Sequence, residues 1–331
     1  MAPQAAEDRA GLAGRLLEEF FPFTPPRAAL PDPTPAEGPD PYGNPDPEWL
    51  HIDWRERLHR VDVGGARGVN YVEMGPDSGK ALVLVHGLSG SWPNWLENIP
   101  YFAREHRVIA PDLPGFGDSP MPDWEISVEA YGRFIFDFCD ALGVRRSTIV
   151  GNSMGGFIAA EAAVREPGRF EKLVLVSAAG VSHARMRRQP AEVAARMGIA
   201  STPLLLRLVD RGIRRPGARR ALFGGLFHSP NRLRTELLWE CFQHGNGRPG
   251  VLPAVRGLVG YDILDRLEDV EVPTLIVWGR NDHVVPPNDA IGFGRRLHNS
   301  RTVIFDRTGH LPMAERPVRF NRVLETFLAE E

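Results

Sequence analysis

Gly151-Asn152-Ser153-Met154-Gly155-Gly156 places a serine at the centre of G-x-S-x-G, directly after the apolar, β-branched run Ser147-Thr148-Ile149-Val150. The pattern predicts a strand turning sharply into a helix, with the serine hydroxyl raised above the sheet and small neighbours letting the two backbones approach. A serine held this way is suited to attack an acyl carbon, and the attack builds negative charge on the carbonyl oxygen. Two backbone N–H donors must be fixed in advance to hold that charge. The buried-strand pattern Ala81-Leu82-Val83-Leu84-Val85 runs straight into His86-Gly87-Leu88-Ser89-Gly90, a loop that lies beside the serine if the two strands are close in a parallel sheet. The expected donors are the N–H groups of Leu88 and Met154.

A serine nucleophile at neutral pH also needs a base, and the base needs an orienting acid. Pro273-Thr274-Leu275-Ile276-Val277-Trp278 reads as a buried strand ending in Gly279-Arg280-Asn281-Asp282-His283, so Asp282 falls on the loop at its C-terminal end. The next strand, Thr302-Val303-Ile304-Phe305, leads to Thr308-Gly309-His310-Leu311-Pro312. His310 is the expected base and Asp282 the expected acid. The order Ser, Asp, His, with each residue at the carboxyl end of a strand, matches where an open parallel sheet places its ligand site.

With these loops in register the chain resembles the α/β-hydrolase superfamily over roughly residues 58 to 330, and Val108-Ile109-Ala110-Pro111-Asp112-Leu113-Pro114-Gly115-Phe116-Gly117-Asp118-Ser119 is similar to the family's strand-4 signature. The resemblance implies Ser153 as nucleophile, His310 as base, Asp282 as its partner and Leu88 with Met154 as oxyanion hole. An alternative acid position in this family follows strand 6, but Val176-Ser177-Ala178-Ala179-Gly180 holds no carboxylate, which favours Asp282. Dehalogenases and epoxide hydrolases of the superfamily need aspartate at the nucleophile position, and Ser153 argues against both.

The elements that must carry these loops follow from the alternation of strand and helix patterns. Strands are expected near 58–63, 69–74, 81–86, 107–111, 147–151, 172–177, 273–278 and 301–306, with helices near 92–103, 127–142, 154–166, 287–298 and 315–330. The fold class is α/β: a mostly parallel eight-stranded sheet, antiparallel at its first two strands and covered by helices on both faces. Residues 58–180 and 263–331 form this core, and 181–262 form a helical insertion after strand 6, carrying Pro203-Leu204-Leu205-Leu206-Arg207-Leu208-Val209 and Leu233-Arg234-Thr235-Glu236-Leu237-Leu238-Trp239. Superfamily members use an insertion here as a cap over the site. Residues 1–57 read as an arm, with an amphipathic helix over 10–21 and then a stretch too dense in proline for regular structure. The arm reads either as a disordered or surface-hugging leader or as a segment whose Phe20, Phe21 and Phe23 dock on the body, a neighbour or a membrane surface.

Composition narrows the partners. At 331 residues and 43% apolar content the chain can bury one large core and an appendage, and its net charge of −3 predicts no polyanionic partner. Arginine outnumbers lysine 37 to 2, a codon-usage signature rather than a nucleic-acid surface. Only Cys139 and Cys241 occur, Cys139 on the apolar face of a helix, which fits thiols in a reducing, cytoplasmic compartment. The sequence has no run of 18 uncharged apolar residues and no signal-peptide pattern. His and carboxylates lack metal-ligand spacing, and Gly115-Phe116-Gly117 lacks the third glycine of a dinucleotide loop, so neither metal nor organic cofactor is expected.

Charge is uneven. Residues 181–260 hold 14 arginines and four acids, a net of +10 that leaves −13 for the rest. These arginines either pair with the body's acids and cover solvated faces or steer an anionic acyl substrate or anionic lipid. Trp92, Trp95, Leu204, Leu208, Leu222, Phe223, Leu226, Phe227, Trp239 and Phe242 are candidates either to line an acyl or aromatic slot or to form the insertion's core. The expected function is a serine hydrolase of carboxylic esters, with a small-molecule ester as its partner. Two alternatives stand beside it. Carbon–carbon bond hydrolases of ring-fission dienone acids share the look of Gly151-Asn152-Ser153-Met154-Gly155-Gly156, though Gly87-Leu88-Ser89-Gly90-Ser91-Trp92 differs from their glycine- and proline-rich loop. A slow-turnover, hydrolase-like receptor is the other.

Overall fold

The computed structural model describes residues 30–185, 207, 209, 211–244 and 248–330. The helix expected over 10–21, Phe20, Phe21, Phe23, Leu204 and Leu208 lie outside the described residues. Eight strands form one sheet: β1 (Leu58–Val63), β2 (Ala66–Met74), β3 (Ala81–Val85), β4 (Arg107–Pro111), β5 (Ser147–Asn152), β6 (Phe170–Val176), β7 (Thr274–Gly279) and β8 (Ser300–Phe305). Their order is β1-β2-β4-β3-β5-β6-β7-β8. β2 runs antiparallel to both β1 and β4, and every other pair is parallel.

Strands buried on both faces need apolar residues at every position, and β3 and β5 show it. Val83, Val85 and Ile149 enter one apolar cluster while Leu82, Leu84 and Val150 enter the other, the period-two alternation of a strand sandwiched between helix layers. The first layer holds α2 (Val128–Ala141) and α3 (Met154–Arg165), and the second holds α9 (Pro317–Ala329). Ser127 starts α2 as its N-cap, its hydroxyl accepting the Ala130 N–H at 3.1 Å. Cys139 lies inside the first layer, where burial pushes its thiol up to about 12.

Two expected helices are broken. The stretch 92–103 is a 3₁₀ turn at Trp92–Trp95 followed by the short α1 (Ile99–Phe102), because Pro93 and Pro100 have no N–H to donate and each fits only a first turn. The C-terminal helix splits into α8 (Pro312–Glu315) and α9, with Pro317 opening the second piece. The helix expected over 287–298 is shorter, α7 (Asn288–Gly294).

Between β6 and β7 the chain forms α4 (Pro216–Phe223), α5 (Thr235–Gln243) and α6 (Val251–Leu258). The two ends of this insertion meet where the Gly260 N–H donates to the His183 carbonyl at 3.1 Å. Residues 30–47 have no regular structure and run along the β8 edge, where Thr34 exchanges hydrogen bonds with the Ile304 backbone at 2.8 and 3.0 Å. That cover removes part of an open sheet edge. Among the described residues no helix is long and apolar enough to cross a membrane.

Candidate active site

The turn from β5 into α3 holds Ser153 at φ 55° and ψ −121°. A non-glycine residue in that region costs roughly 1–3 kcal/mol, so the surroundings must over-determine it. They do so through the backbone. The Ser153 N–H donates to the Val176 carbonyl at 2.9 Å, and the Ser153 carbonyl accepts from Ala179 at 3.0 Å and Phe157 at 3.2 Å. The flanking glycines have no room for a side chain: a Cβ on Gly151 would lie 2.2 Å from the Gly155 carbonyl oxygen, and one on Gly155 would lie 2.3 Å from that of Val85. Ser153 itself is partly exposed while Asn152 and Met154 are buried.

The loop after β3 lies against this turn. A Cβ on Gly87 would sit 2.8 Å from Ser153 Cβ. His86, fully buried, accepts the Leu113 N–H on Nε2 at 2.9 Å, which leaves Nδ1 as the protonated nitrogen donating to the Gly87 carbonyl at 2.8 Å. Burial holds its imidazole below the usual range. Gly90 donates to the same carbonyl at 3.0 Å. Since the C=O and N–H of one trans peptide point in opposite directions, pinning the Gly87 oxygen also sets the direction of the Leu88 N–H. Asp112 braces the far end of the loop, accepting Trp92 N–H at 2.8 Å and Asp118 N–H at 2.9 Å.

Asp282 and His310 meet in a buried pair. His310 Nδ1 lies 2.8 Å from Asp282 Oδ2, and Asp282 Oδ1 accepts the N–H groups of Val284 at 2.8 Å and Val285 at 3.0 Å. Both oxygens of the Asp282 carboxylate are thus engaged, and a proton on His310 Nδ1 leaves Nε2 as the unprotonated nitrogen of the ring. Asn152 joins this pair to the serine turn, its amide donating to the carbonyls of Val176 at 3.1 Å and His310 at 3.3 Å.

Of the aromatic candidates, Trp95 is wholly buried and tilted against Phe320, and Phe223 packs edge-on to Phe227 and Phe242 inside the insertion. Trp92, Trp239, Leu222 and Leu226 are partly buried against the same apolar cluster. The arginines whose side chains are described between 207 and 256 are exposed, apart from half-buried Arg219 and Arg248. Arg219 binds the carbonyls of Ile213 and Leu233 and the Thr235 hydroxyl, and Arg248 binds the His244 carbonyl and reaches Asp118 at 3.4 Å.

Three residues at this site carry no sequence signal. His183, at the start of the insertion, is pushed down to about 4 by burial and then by the charge of His310, so a neutral histidine stands beside the pair. Glu315, fully buried, accepts the N–H of Gly309 at 2.7 Å, one residue before His310, and that of His228 at 3.0 Å. Its third partner is Tyr42 of the arm. Only the five-residue step from His310 to Glu315 is visible in the sequence, and a carboxylate on an apolar helix start is not by itself a signal.

The sequence matches the alpha/beta hydrolase fold family over residues 80–317. It is 30% identical over 277 residues to the 2-hydroxy-6-oxo-6-phenylhexa-2,4-dienoate hydrolase of Comamonas testosteroni, covering 79% of this chain and 91% of that one. Among solved structures it superimposes on a membrane phospholipase A with a TM-score of 0.65 and 28% identity, over 85% of this chain and 90% of that one. A thermophilic esterase from Thermogutta terrifontis matches with a TM-score of 0.65 and 25% identity, over 82% of this chain and 98% of the other.

Proposed function

This chain belongs to the alpha/beta hydrolase fold family, and we propose that within it the protein is a serine hydrolase of carboxylic esters. The observation that carries the reading is the buried Asp282–His310 pair, tied through Asn152 to a serine in strained backbone. Ser153 Oγ adds to the ester carbonyl carbon as His310 Nε2 takes its proton. The N–H groups of Leu88 and Met154 hold the oxyanion. Collapse breaks the bond to the alkoxy oxygen, and the alcohol leaves with the proton from His310. Water then attacks the acyl-enzyme, giving its proton to His310, and the acid departs as Ser153 recovers the proton. The insertion over 181–262 serves as a cap in this reading, supported by the bond from the His310 N–H to the Leu226 carbonyl at 2.7 Å.

Carbon–carbon hydrolysis of a dienone acid is a second reading, favoured by the relative from Comamonas testosteroni and by Asn152 within Gly151-Asn152-Ser153-Met154-Gly155-Gly156. Weighing for the ester, the arginines whose side chains are described in the insertion are exposed or, at Arg219 and Arg248, half-buried on protein acceptors. A panel of p-nitrophenyl esters of increasing chain length, assayed beside a ring-fission dienone acid, separates the two. The ester reading expects kcat/KM for at least one ester to exceed that for the dienone. The reverse order installs the second reading.

A further inference from the structure

Tyr42 sits at a junction of three distant segments. Its hydroxyl donates to Glu315 Oε2 and accepts the Ser229 N–H at 2.6 Å. Two guanidinium groups lie over its ring, Arg232 at 5.0 Å and Arg316 at 4.8 Å. The next residue, Gly43, donates its N–H to the Glu315 carbonyl at 2.7 Å. Glu315 passes the contact on, because Oε1 accepts the Gly309 N–H and Oε2 the His228 N–H. The His310 N–H then closes the ring of bonds on Leu226. The arm is therefore bonded at once to the histidine loop and to residues 226–229 of the insertion.

We propose that Tyr42 is a positioning residue for His310, acting through Glu315, and that it fixes residues 226–229 over the same loop; this rests on His310 being the base. The physical reason is the acceptor balance at Glu315. Two backbone N–H groups and the phenol all converge on this one fully buried carboxyl. Burial pushes this carboxyl up to about 8, and the hydrogen bond from Tyr42 is the largest influence in the other direction. Without the phenol, Oε2 loses its side-chain donor, the arm is no longer tied to the carboxyl, and the Glu315 side chain is freer to shift away from Gly309 and His228. The loop carrying His310 then loses the anchor on its Gly309 N–H.

The test is Tyr42→Phe, which removes one oxygen and keeps the ring under its arginines. On p-nitrophenyl acetate, kcat should fall about tenfold with KM within about twofold, the size of loss that slight misplacement of a base produces. Amide exchange should quicken in peptides covering 309–310 and 226–229. Glu315→Gln should show a similar loss, and the double variant should lose no more than the larger single one, since the two act on one path. Arg322→Ala provides the control: Arg322 holds the arm at the Glu37 and Pro39 carbonyls, both 3.2 Å away, without touching Glu315. It should lower Tm and leave kcat unchanged. Wild-type kcat and exchange in Tyr42→Phe, an equal kcat loss in Arg322→Ala, or additive losses in the double variant would each overturn the proposal. Ser153→Ala is run in parallel. Turnover surviving there removes the active-site reading and this proposal with it, whereas turnover lost there but intact in Tyr42→Phe removes this proposal alone.

Discussion

The serine turn and the histidine loop meet above the same sheet but are held there by different means. Around Ser153 the backbone does the holding: Gly87, Gly151, Gly155 and Gly156 each sit where a Cβ would come within 2.8 Å of a neighbour. Around His310 the holding is done by side chains from far away, with Tyr42 and Glu315 separated by 273 residues. The first half is encoded locally and tolerates no added atoms. The second depends on docking, so it can be weakened by degrees through residues that never approach the substrate.

Variants that break the serine half should give the largest losses. Ser153→Ala is expected to lower kcat by about 10⁵-fold or more while Tm stays close to wild type, because only binding and the oxyanion donors then remain. Steady-state turnover paired with fluorophosphonate labelling checks it, and label on any other residue counts against the assignment. Asp282→Asn is expected next, at about 10⁴-fold in kcat with little change in KM, since the amide turns the imidazole to the wrong tautomer. Asp306→Asn is its control, because the half-exposed Asp306 carboxylate pairs with Arg307 at 3.5 Å on the surface. Third is Gly87→Ala, whose methyl would press on Ser153 Cβ and swing the loop carrying Leu88. A loss of about 10²-fold in kcat, the usual effect of misplacing one oxyanion donor, is expected. Near-wild-type turnover in that variant would place the donors elsewhere.

The same contrast decides what could be read from the sequence. Every strand lies within three residues of its expected position, because apolar β-branched runs bounded by turn residues report burial on both faces. The serine turn, the loop after β3 and the two loops bearing Asp282 and His310 were legible for a related reason, since each is short, glycine-bearing and fixed to a strand end. The helix over 92–103 was not, because apolar periodicity outweighed Pro93 and Pro100, whose missing N–H groups break the ladder. Tyr42, His183 and Glu315 were illegible in principle. Each owes its place to partners brought together only by the finished fold, and a tyrosine in a proline-rich arm or a histidine after a strand has no local pattern to mark it.

His183 sharpens the comparison from the side of stability. Burial, then the His310 charge, depress it from 6.5 to about 4 in the folded chain. Between those values the unfolded chain binds the proton and the folded chain does not, so stability falls as pH drops from 6.5 toward 4 and is fully present above that window. From pH 7 to pH 5 this one group should remove about 2 kcal/mol. Urea unfolding at the two pH values, in wild type and His183→Gln, measures it. The variant should show a correspondingly smaller decline, and equal declines would mean that His183 is already solvated and charged in the fold.

The arginines of the insertion carry the smallest expected effects, and they divide as the two halves of the site do. Arg219 is built in, with three acceptors: Ile213 O just before α4, Leu233 O just before α5, and Thr235 Oγ1 at the start of α5. Arg219→Ala strands those acceptors and should cost about 1–3 kcal/mol in a urea titration. Arg214 and Arg215 are exposed, so replacing either by alanine should change stability by less than about 0.5 kcal/mol. Exposed charges act beyond contact only through a field screened over about 10 Å at 0.1 M salt. If that field steers substrate, kcat/KM for an ester bearing a free carboxylate exceeds that of its neutral isostere at low salt and the advantage shrinks as salt is added. Arginines that merely cover solvated faces give no such advantage, and equal values at low salt are the expected result. A carboxylate preference that one arginine substitution abolishes while neutral-ester turnover is spared would instead identify a substrate-binding cation and turn the assignment toward the dienone acids.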